Sequence, residues 1–294
     1  MIHSMASSQL IKDRIKGLKE EYDRLRIGKD SLLRIIDEVE IPESVYNSNA
    51  IENSTLTLAE TEKILLEMEV SRNISLREVF EAKNLARVME YIRTKSKVEE
   101  LSVQTILILH EMLIGNIDDT ISGRFRKEHE YVRVGTHIAS SPEHIERMLA
   151  EELIEYSSNH TDYFIDKIAK FHLSFETIHP FNDGNGRIGR AIINYQLYRL
   201  GFPGIIIRNK EKKTYYKAFN EYIDDKKTKF MEKLLSLSLM EGLNKRIVYL
   251  KGKKIIKLTE YSGKIGKTAP SVLNAAKRQT IPAFREKGVW KIGV

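Results

Sequence analysis

Residues 179–190 read His-Pro-Phe-Asn-Asp-Gly-Asn-Gly-Arg-Ile-Gly-Arg. Pro180 has no N–H and cannot continue a preceding helix, so His179 is expected at a helix end, facing a loop. Asp183 to Gly186 make a short glycine-rich loop whose backbone N–H groups can turn inward as an anion nest. A helical pattern follows, and its N-terminus adds partial positive charge at the same place. Arg187 and Arg190 are three residues apart and project from one helix face. Their guanidinium forks match phosphate oxygens. Asp183 sets one carboxylate beside them, and Mg²⁺ commonly takes one or two carboxylates plus phosphate oxygens. Singly, each residue has an ordinary reading as a cap histidine, a turn aspartate or a surface arginine. Together they specify a base, a metal ligand, an anion cradle and two phosphate clamps.

Outward from this stretch the chain reads as mainly α. Leu10 to Val39 has apolar residues at helical spacing, and Pro42 is expected to interrupt it. The pattern recurs over Thr57–Met68, Ser75–Ile92, Leu101–Ile114, Pro142–Tyr156, Asp162–Ile178, Ile188–Leu200, Tyr215–Tyr222 and Lys229–Leu243. Ser75 followed by Glu78 is a capping-box signature. Two regions break the pattern. Tyr131 to Ile138 alternates around Gly135 and predicts a short hairpin carrying Val132, Val134 and Ile138. Ile281 to Val294 also reads as β, with a turn at Lys287-Gly288.

The sequence has 294 residues, 41% of them apolar, enough for one large core and a small second domain. It has no cysteine, which excludes disulfides and thiolate metal sites. No apolar run is long enough to span a bilayer, and Met1 to Asp13 has no apolar signal core. These features predict a cytoplasmic protein without a membrane partner. Charge is uneven: Lys245 to Val294 holds 13 Lys/Arg against 2 Asp/Glu, and the remainder 35 against 39. The basic character therefore belongs to the last fifty residues.

The 179–190 stretch resembles the Fic-family motif His-Pro-Phe-x-[Asp/Glu]-Gly-Asn-Gly-Arg-x-x-Arg at every defined position, and Leu56 to Leu243 looks similar to the rest of the Fic core. The resemblance implies a helical bundle with a β-hairpin flap, and transfer of AMP from ATP to a Tyr, Thr or Ser hydroxyl of a protein. It implies His179 as general base, Asp183 as the Mg²⁺ ligand, and Gly184, Asn185, Gly186, Arg187 and Arg190 as the phosphate site. Gly123-Arg-Phe-Arg126 resembles the segment leading into the family's flap, here Val132, Val134, Gly135 and Ile138, which would hold a target strand. Tyr215-Tyr216 resembles the Tyr-Tyr pair beside the adenosine. An Asn common some seven residues later is replaced near Ile223. A relative that transfers phosphate has Lys in place of Gly186, and the glycine implies the AMP-transfer orientation.

Ser48-Asn-Ala-Ile-Glu-Asn53 resembles the family's inhibitory motif, [Ser/Thr]-x-x-x-Glu-[Gly/Asn]. The resemblance implies that Glu52 occupies Arg190, with Ser48 and Asn53 framing it. Removal of AMP, with Glu52 positioning water, is the reverse reaction left open.

The basic tail reads as helix (Thr259–Ile265), a turn at Gly266, helix (Ala269–Arg278) and a hairpin (Pro282–Ile292). It resembles the winged helix-turn-helix of excisionase-like and MerR-like proteins. Ser271, Asn274, Lys277 and Arg278 would face a major groove, with Arg285 and Lys287 on phosphates. DNA and a protein both stand as partners for it, and a homodimer is left open. The sequence thus divides into an N-terminal helical region (1–55), a catalytic region (56–244) and a winged helix-turn-helix (251–294). The competing reading is a DNA-binding regulator with a nucleotide-sensing core.

Overall fold

The computed structural model describes residues 2–70, 73–134 and 137–294, with side chains from residue 9 onward. Helix α1 (Ile2–Leu25) is followed by α2 (Asp30–Ile51), where the apolar spacing had suggested one helix ending before Pro42. Gly28 makes the break, at φ 69°. Pro42 lies inside α2 instead. A proline there removes a helix bond and costs about 3 kcal/mol. Tertiary contacts flank it on both sides and hold the helix through the proline. Asp37 and Glu40 hold Arg246, and Glu43 holds Arg208.

The chain forms two compact units. The larger comprises residues 41–201 and 206–234. It contains the end of α2, α3 (Leu58–Glu62), α4 (Leu76–Lys95), α5 (Val103–Ile114), α6 (Ile145–Ser158), α7 (Phe164–Ile178), α8 (Asn185–Arg199), α9 (Lys212–Asp225) and the start of α10 (Lys229–Leu250). Its hairpin pairs β1 (Arg133–Val134) with β2 (His137–Ile138). The core lies among α4, α5, α6, α7 and α8, where Leu85, Ile92, Leu109, Leu113, Phe171, Phe175, Ile188 and Ile192 are buried. Helix α8 is enclosed on all sides from Arg187 to Leu197, charged residues included. A helix buried all round needs its polar groups paired, and the partners of its arginines create the site described below.

Caps follow the sequence in part. Thr57 and Glu60 form a full capping box at α3. At α4 the Ser75 hydroxyl caps the Glu78 amide, but the Glu78 carboxylate reaches across to Ser54 and Thr55. It therefore ties the loop after α2 to α4.

The smaller unit comprises residues 1–40, 202–205 and 235–294. At its C-terminal end lie β3 (Ile255–Lys257), α11 (Leu258–Lys264), α12 (Ala269–Lys277), β4 (Ala283–Glu286) and β5 (Val289–Gly293). The three strands form an antiparallel sheet in the order β3-β5-β4. Ile256, Leu258, Val272, Ala276, Ala283 and Ile292 make its core. Strand β3 was not read from the sequence: its three residues are too few to show an alternation. Arg285 is committed to Glu241 through paired bonds and stacks over Trp290. A buried carboxylate has claimed the guanidinium that the sequence offered to phosphate.

Candidate active site

Helix α7 ends at His179, which takes the left-handed conformation (φ 52°, ψ 63°) while its N–H still bonds Phe175 O at 2.9 Å. Pro180 then turns the chain, since the residue before a proline avoids the right-handed helical region. The loop closes through Asn185, whose side chain accepts from Phe181 N (2.9 Å) and donates to Phe181 O (2.7 Å). Gly184 is required twice over: its φ is +83°, and a Cβ there would come within 2.9 Å of Leu113. The amides of Asn185, Gly186 and Arg187 precede the first helical bond of α8, Ile188 N–H to Gly184 O, so this turn is an anion-seeking helix end.

The structure brings His179, Asp183 to Arg187, Arg190, Ser48, Glu52, Tyr215 and Tyr216 into one neighbourhood and pairs both arginines with carboxylates. Arg190 is buried; its Nε donates to Ser48 Oγ (2.9 Å), and its Nη2 donates to Ser48 O (2.9 Å) and meets Glu52 Oε1 (2.8 Å). Burial disfavours its charge, but the Glu52 carboxylate and the Tyr215 hydroxyl more than offset that, and the guanidinium stays protonated. Glu52 sits over the start of α8: a Cβ on Gly186 would lie 2.2 Å from Glu52 Oε1. Gly186 is thus the space into which the carboxylate fits. Asn53 is left-handed at φ 69° and accepts from Lys212 Nζ at 2.7 Å.

Arg187 is buried between Glu81 Oε1 (3.2 Å) and Asp183 Oδ1 (2.9 Å). Asp183 also accepts from Gly184 N (2.6 Å) and from Arg77 Nη2 (2.6 Å). Burial pushes its carboxyl upward, but Arg187, the Gly184 amide and Arg77 together hold it below the usual aspartate range. Tyr215 is buried, its hydroxyl 2.8 Å from His172 Nε2 and 3.4 Å from Arg190 Nη1. Tyr216 lies at the surface and donates to Ile51 O, next to Glu52, at 3.4 Å.

A cleft of about 240 Å³ runs past His179, Glu176, Thr177, Gly186, Arg190 and Glu52 to Tyr215, Tyr216, Phe219, Asn220 and Ile223, with Val134 and His137 of the hairpin at its edge. Ile138 is exposed beside it, and Val132 O extends the ladder by accepting from Ala139 N. Gly135 lies outside the described residues. His179 is partly buried at the cleft wall; burial lowers its imidazole to about 4, against the Glu176 carbonyl, which favours the charged form. The ring is therefore neutral at pH 7 and able to accept a proton.

Several site residues gave no local signal in the sequence. Arg126 is buried and donates to His179 O (2.8 Å), Ile178 O (3.2 Å), Glu130 O (2.9 Å) and Ser140 O (2.6 Å), tying the histidine loop to both feet of the hairpin. His110 stacks on Phe181 with ring centroids 3.7 Å apart. It accepts from Gly123 N at Nδ1 (3.1 Å), which leaves Nε2–H to donate to Asp183 O (3.1 Å). Asn220 faces the cleft one turn before Ile223, near where an asparagine is expected. Of these, Arg126 alone carries a signal in the sequence, through the resemblance of Gly123 to Arg126 to the segment leading into the flap.

Glu176 is the least expected member. Burial, reinforced by the charge of Glu52, pushes its carboxyl up from 4.5 to about 8 against the pull of Arg190. It is therefore protonated at pH 7, whereas the unfolded chain carries it ionised. Its contribution to stability is fully present below about pH 4.5 and is lost as pH rises to about 8. Glu176→Gln, which copies the neutral form, is expected to be more stable than the parent chain. Thermal unfolding should show the gap widening from pH 5 to pH 8; a gap that stays constant or narrows would contradict a buried neutral acid.

The Fic/DOC family model matches residues 100–197, the span from α5 through the histidine loop and nearly all of α8. This chain carries a Fic/DOC domain. The protein adenylyltransferase Fic of Nematostella vectensis is 29% identical over 220 residues, covering 72% of this chain and 51% of that protein. That of Drosophila mojavensis is 31% identical over 209 residues, covering 69% and 41%. The chain thus spans about half or less of the length of these curated relatives. Among solved structures, a Fic-domain signaling protein from Bacteroides thetaiotaomicron superposes with a TM-score of 0.73 at 24% identity, over 82% of this chain and 98% of that one. Fic-1 from Caenorhabditis elegans gives 0.70 at 24% identity, over 85% and 74%. The Fic fold is therefore common to these chains. No helix among the described residues is long and apolar enough to cross a membrane.

Proposed function

We propose that the chain is a self-restrained protein adenylyltransferase, moving AMP from ATP to a protein hydroxyl. The observation that carries this reading is the neutral His179 ring set in one cleft with the α8 N-terminus and Arg190. A hydroxyl oxygen of the target attacks the α-phosphorus, the bond to the β-phosphate oxygen breaks, and pyrophosphate leaves. His179 takes the hydroxyl proton. Amides at the start of α8 stabilise charge developing on the phosphate oxygens. Arg187 and Arg190 take the β- and γ-phosphates, and Tyr215 and Tyr216 line the nucleoside side. The hairpin edge at Val134, His137 and Ile138 holds an extended target segment by strand addition.

Among the described residues no cluster of three metal-ligating side chains exists. One ionised carboxylate, Asp183, suits a cation delivered with the triphosphate rather than a resident ion. Mg²⁺ held there would neutralise charge on the α- and β-phosphates. In the resting chain Asp183 and Glu81 occupy Arg187, and Glu52 occupies Arg190. The protein's own carboxylates stand on the groups proposed to bind phosphate, and this supports restraint by Glu52. Incubating the Glu52→Gly chain with ATP and Mg²⁺, alone and with a cell lysate, tests the reading: mass measurement should show adducts of one AMP each, and an unmodified chain with unmodified lysate proteins would count against it.

We further propose that the C-terminal segment is a winged helix-turn-helix that binds duplex DNA. Ser271, Asn274, Lys277 and Arg278 are all exposed on or just beyond α12, opposite buried Val272 and Ala276. Affinity of the whole chain for duplex DNA should fall linearly with salt on logarithmic axes. Lys277→Ala should reduce that slope by about 1 if the side chain meets a phosphate. Absence of binding at low salt would make the segment a protein-recognition module.

A further inference from the structure

Arg77, Glu81, Arg187 and Asp183 close a ring of two guanidinium and two carboxylate groups. Glu81 Oε1 receives Arg77 Nε (3.1 Å) and Arg187 Nη1 (3.2 Å). Asp183 receives Arg187 Nη2 at Oδ1 (2.9 Å) and Arg77 Nη2 at Oδ2 (2.6 Å). The two arginines differ in freedom. Arg187 is 4% exposed and held within α8, whereas Arg77 is 57% exposed in the first turn of α4. We infer that Arg77 is a displaceable counter-cation: it occupies Asp183 in the resting chain and yields that carboxylate oxygen to the divalent cation that arrives with the nucleotide. This deepens the proposed function and rests on Asp183 as the cation ligand.

The physical case is one of competition. A guanidinium at hydrogen-bond distance from a carboxylate oxygen sets its positive charge where an incoming cation would sit, so the two compete for that oxygen through charge repulsion and space. Arg187 cannot leave without exposing Glu81 and breaking a buried pair, a strongly unfavourable step. Arg77 can swing into water at small cost, because an exposed ion pair is weak. Its Nε bond to Glu81 keeps it near for return. The ring is neutral at rest, so loss of Arg77 from Asp183 also lowers repulsion against an incoming cation. Arg77 therefore acts as a positioning residue that sets the threshold for metal-loaded nucleotide.

The sign of one affinity change tests this. In the Glu52→Gly background, binding of a non-hydrolysable ATP analogue is measured by calorimetry with Mg²⁺ and with EDTA. Arg77→Ala should tighten binding of the Mg²⁺-loaded analogue by up to about fivefold, the scale of an exposed ion pair. It should not tighten binding in EDTA. If Arg77 were a phosphate contact, affinity would fall in both conditions, and a fall, no change, or equal tightening with EDTA overturns the proposal. On Asp183→Ala the same Arg77→Ala change should have no effect, as a double-mutant cycle requires when the two side chains act on each other. If Asp183→Ala leaves the Mg²⁺ dependence intact, the assignment of Asp183 itself fails. If Mg²⁺ dependence is lost while Arg77→Ala gives no tightening, the assignment stands and the displacement alone is wrong.

Discussion

His179→Ala is expected to lower AMP transfer by about 10²- to 10⁴-fold, the usual worth of a positioned general base, while ATP binding and folding persist. The second half of this expectation has a structural reason. The loop is held by the main chain of residue 179, whose N–H bonds Phe175 O and whose carbonyl receives Arg126, so removing the ring leaves those bonds in place. The phosphate side of the cleft, as proposed, belongs to α8 and its arginines. Calorimetry with ATP should therefore match the parent while transfer collapses. The pH dependence has a defined sign. The ring is lowered to about 4 by burial, so it is neutral and competent at pH 7 and becomes charged as pH falls through about 4. The acid limb of the rate should lie there rather than near the usual histidine value of about 6.5. Undiminished transfer by the alanine variant would remove His179 as the base.

Glu52→Gly is expected to raise self-modification by at least about tenfold. The carboxylate meets buried Arg190 at 2.8 Å and fills the space above Gly186, and both belong to the triphosphate site proposed above. A hydrogen bond to a charged group contributes on the order of 1.5–3 kcal/mol, which corresponds to roughly ten- to a hundredfold. Glu52 is partly exposed, which favours the lower end. Arg190 keeps both bonds to Ser48 after the change, so the guanidinium remains in place for phosphate. Arg190→Ala should not reproduce the gain, because it removes the clamp with the restraint. Single-turnover rates for transfer and removal of AMP, measured separately, decide the outcome. Equal rates for variant and parent in both directions would reduce Ser48 to Asn53 to an ordinary packing segment.

What the sequence disclosed and what it hid follow from the range of the interactions. The histidine loop was legible because proline, three glycines, an aspartate and two arginines crowd into one short segment, where local rules for turns, helix ends and forks all act. The Ser48–Asn53 segment was legible only by resemblance, since nothing local connects it to Arg190 across 142 residues. Arg77 reaches Asp183 across 106 residues, and Arg126 reaches His179 across 53. No periodicity or spacing marks such pairs; they appear once packing brings α4, the hairpin and α8 together. The helices themselves were largely readable from apolar spacing. Pro42 misleads in α2, because the contacts that hold a proline inside that helix exist only in the folded chain. Strand β3 and the commitment of Arg285 to Glu241 were hidden for the same reason.

The proposed reaction has one direct test. The Glu52→Gly chain is incubated in parallel with ATP labelled at the α-phosphate and with ATP labelled at the γ-phosphate, and the denatured protein is counted for retained label. The expected result is stable label from the α-phosphate alone, abolished by His179→Ala in the same background. Label from the γ-phosphate, or α-label that persists without His179, would contradict transfer of AMP by this site.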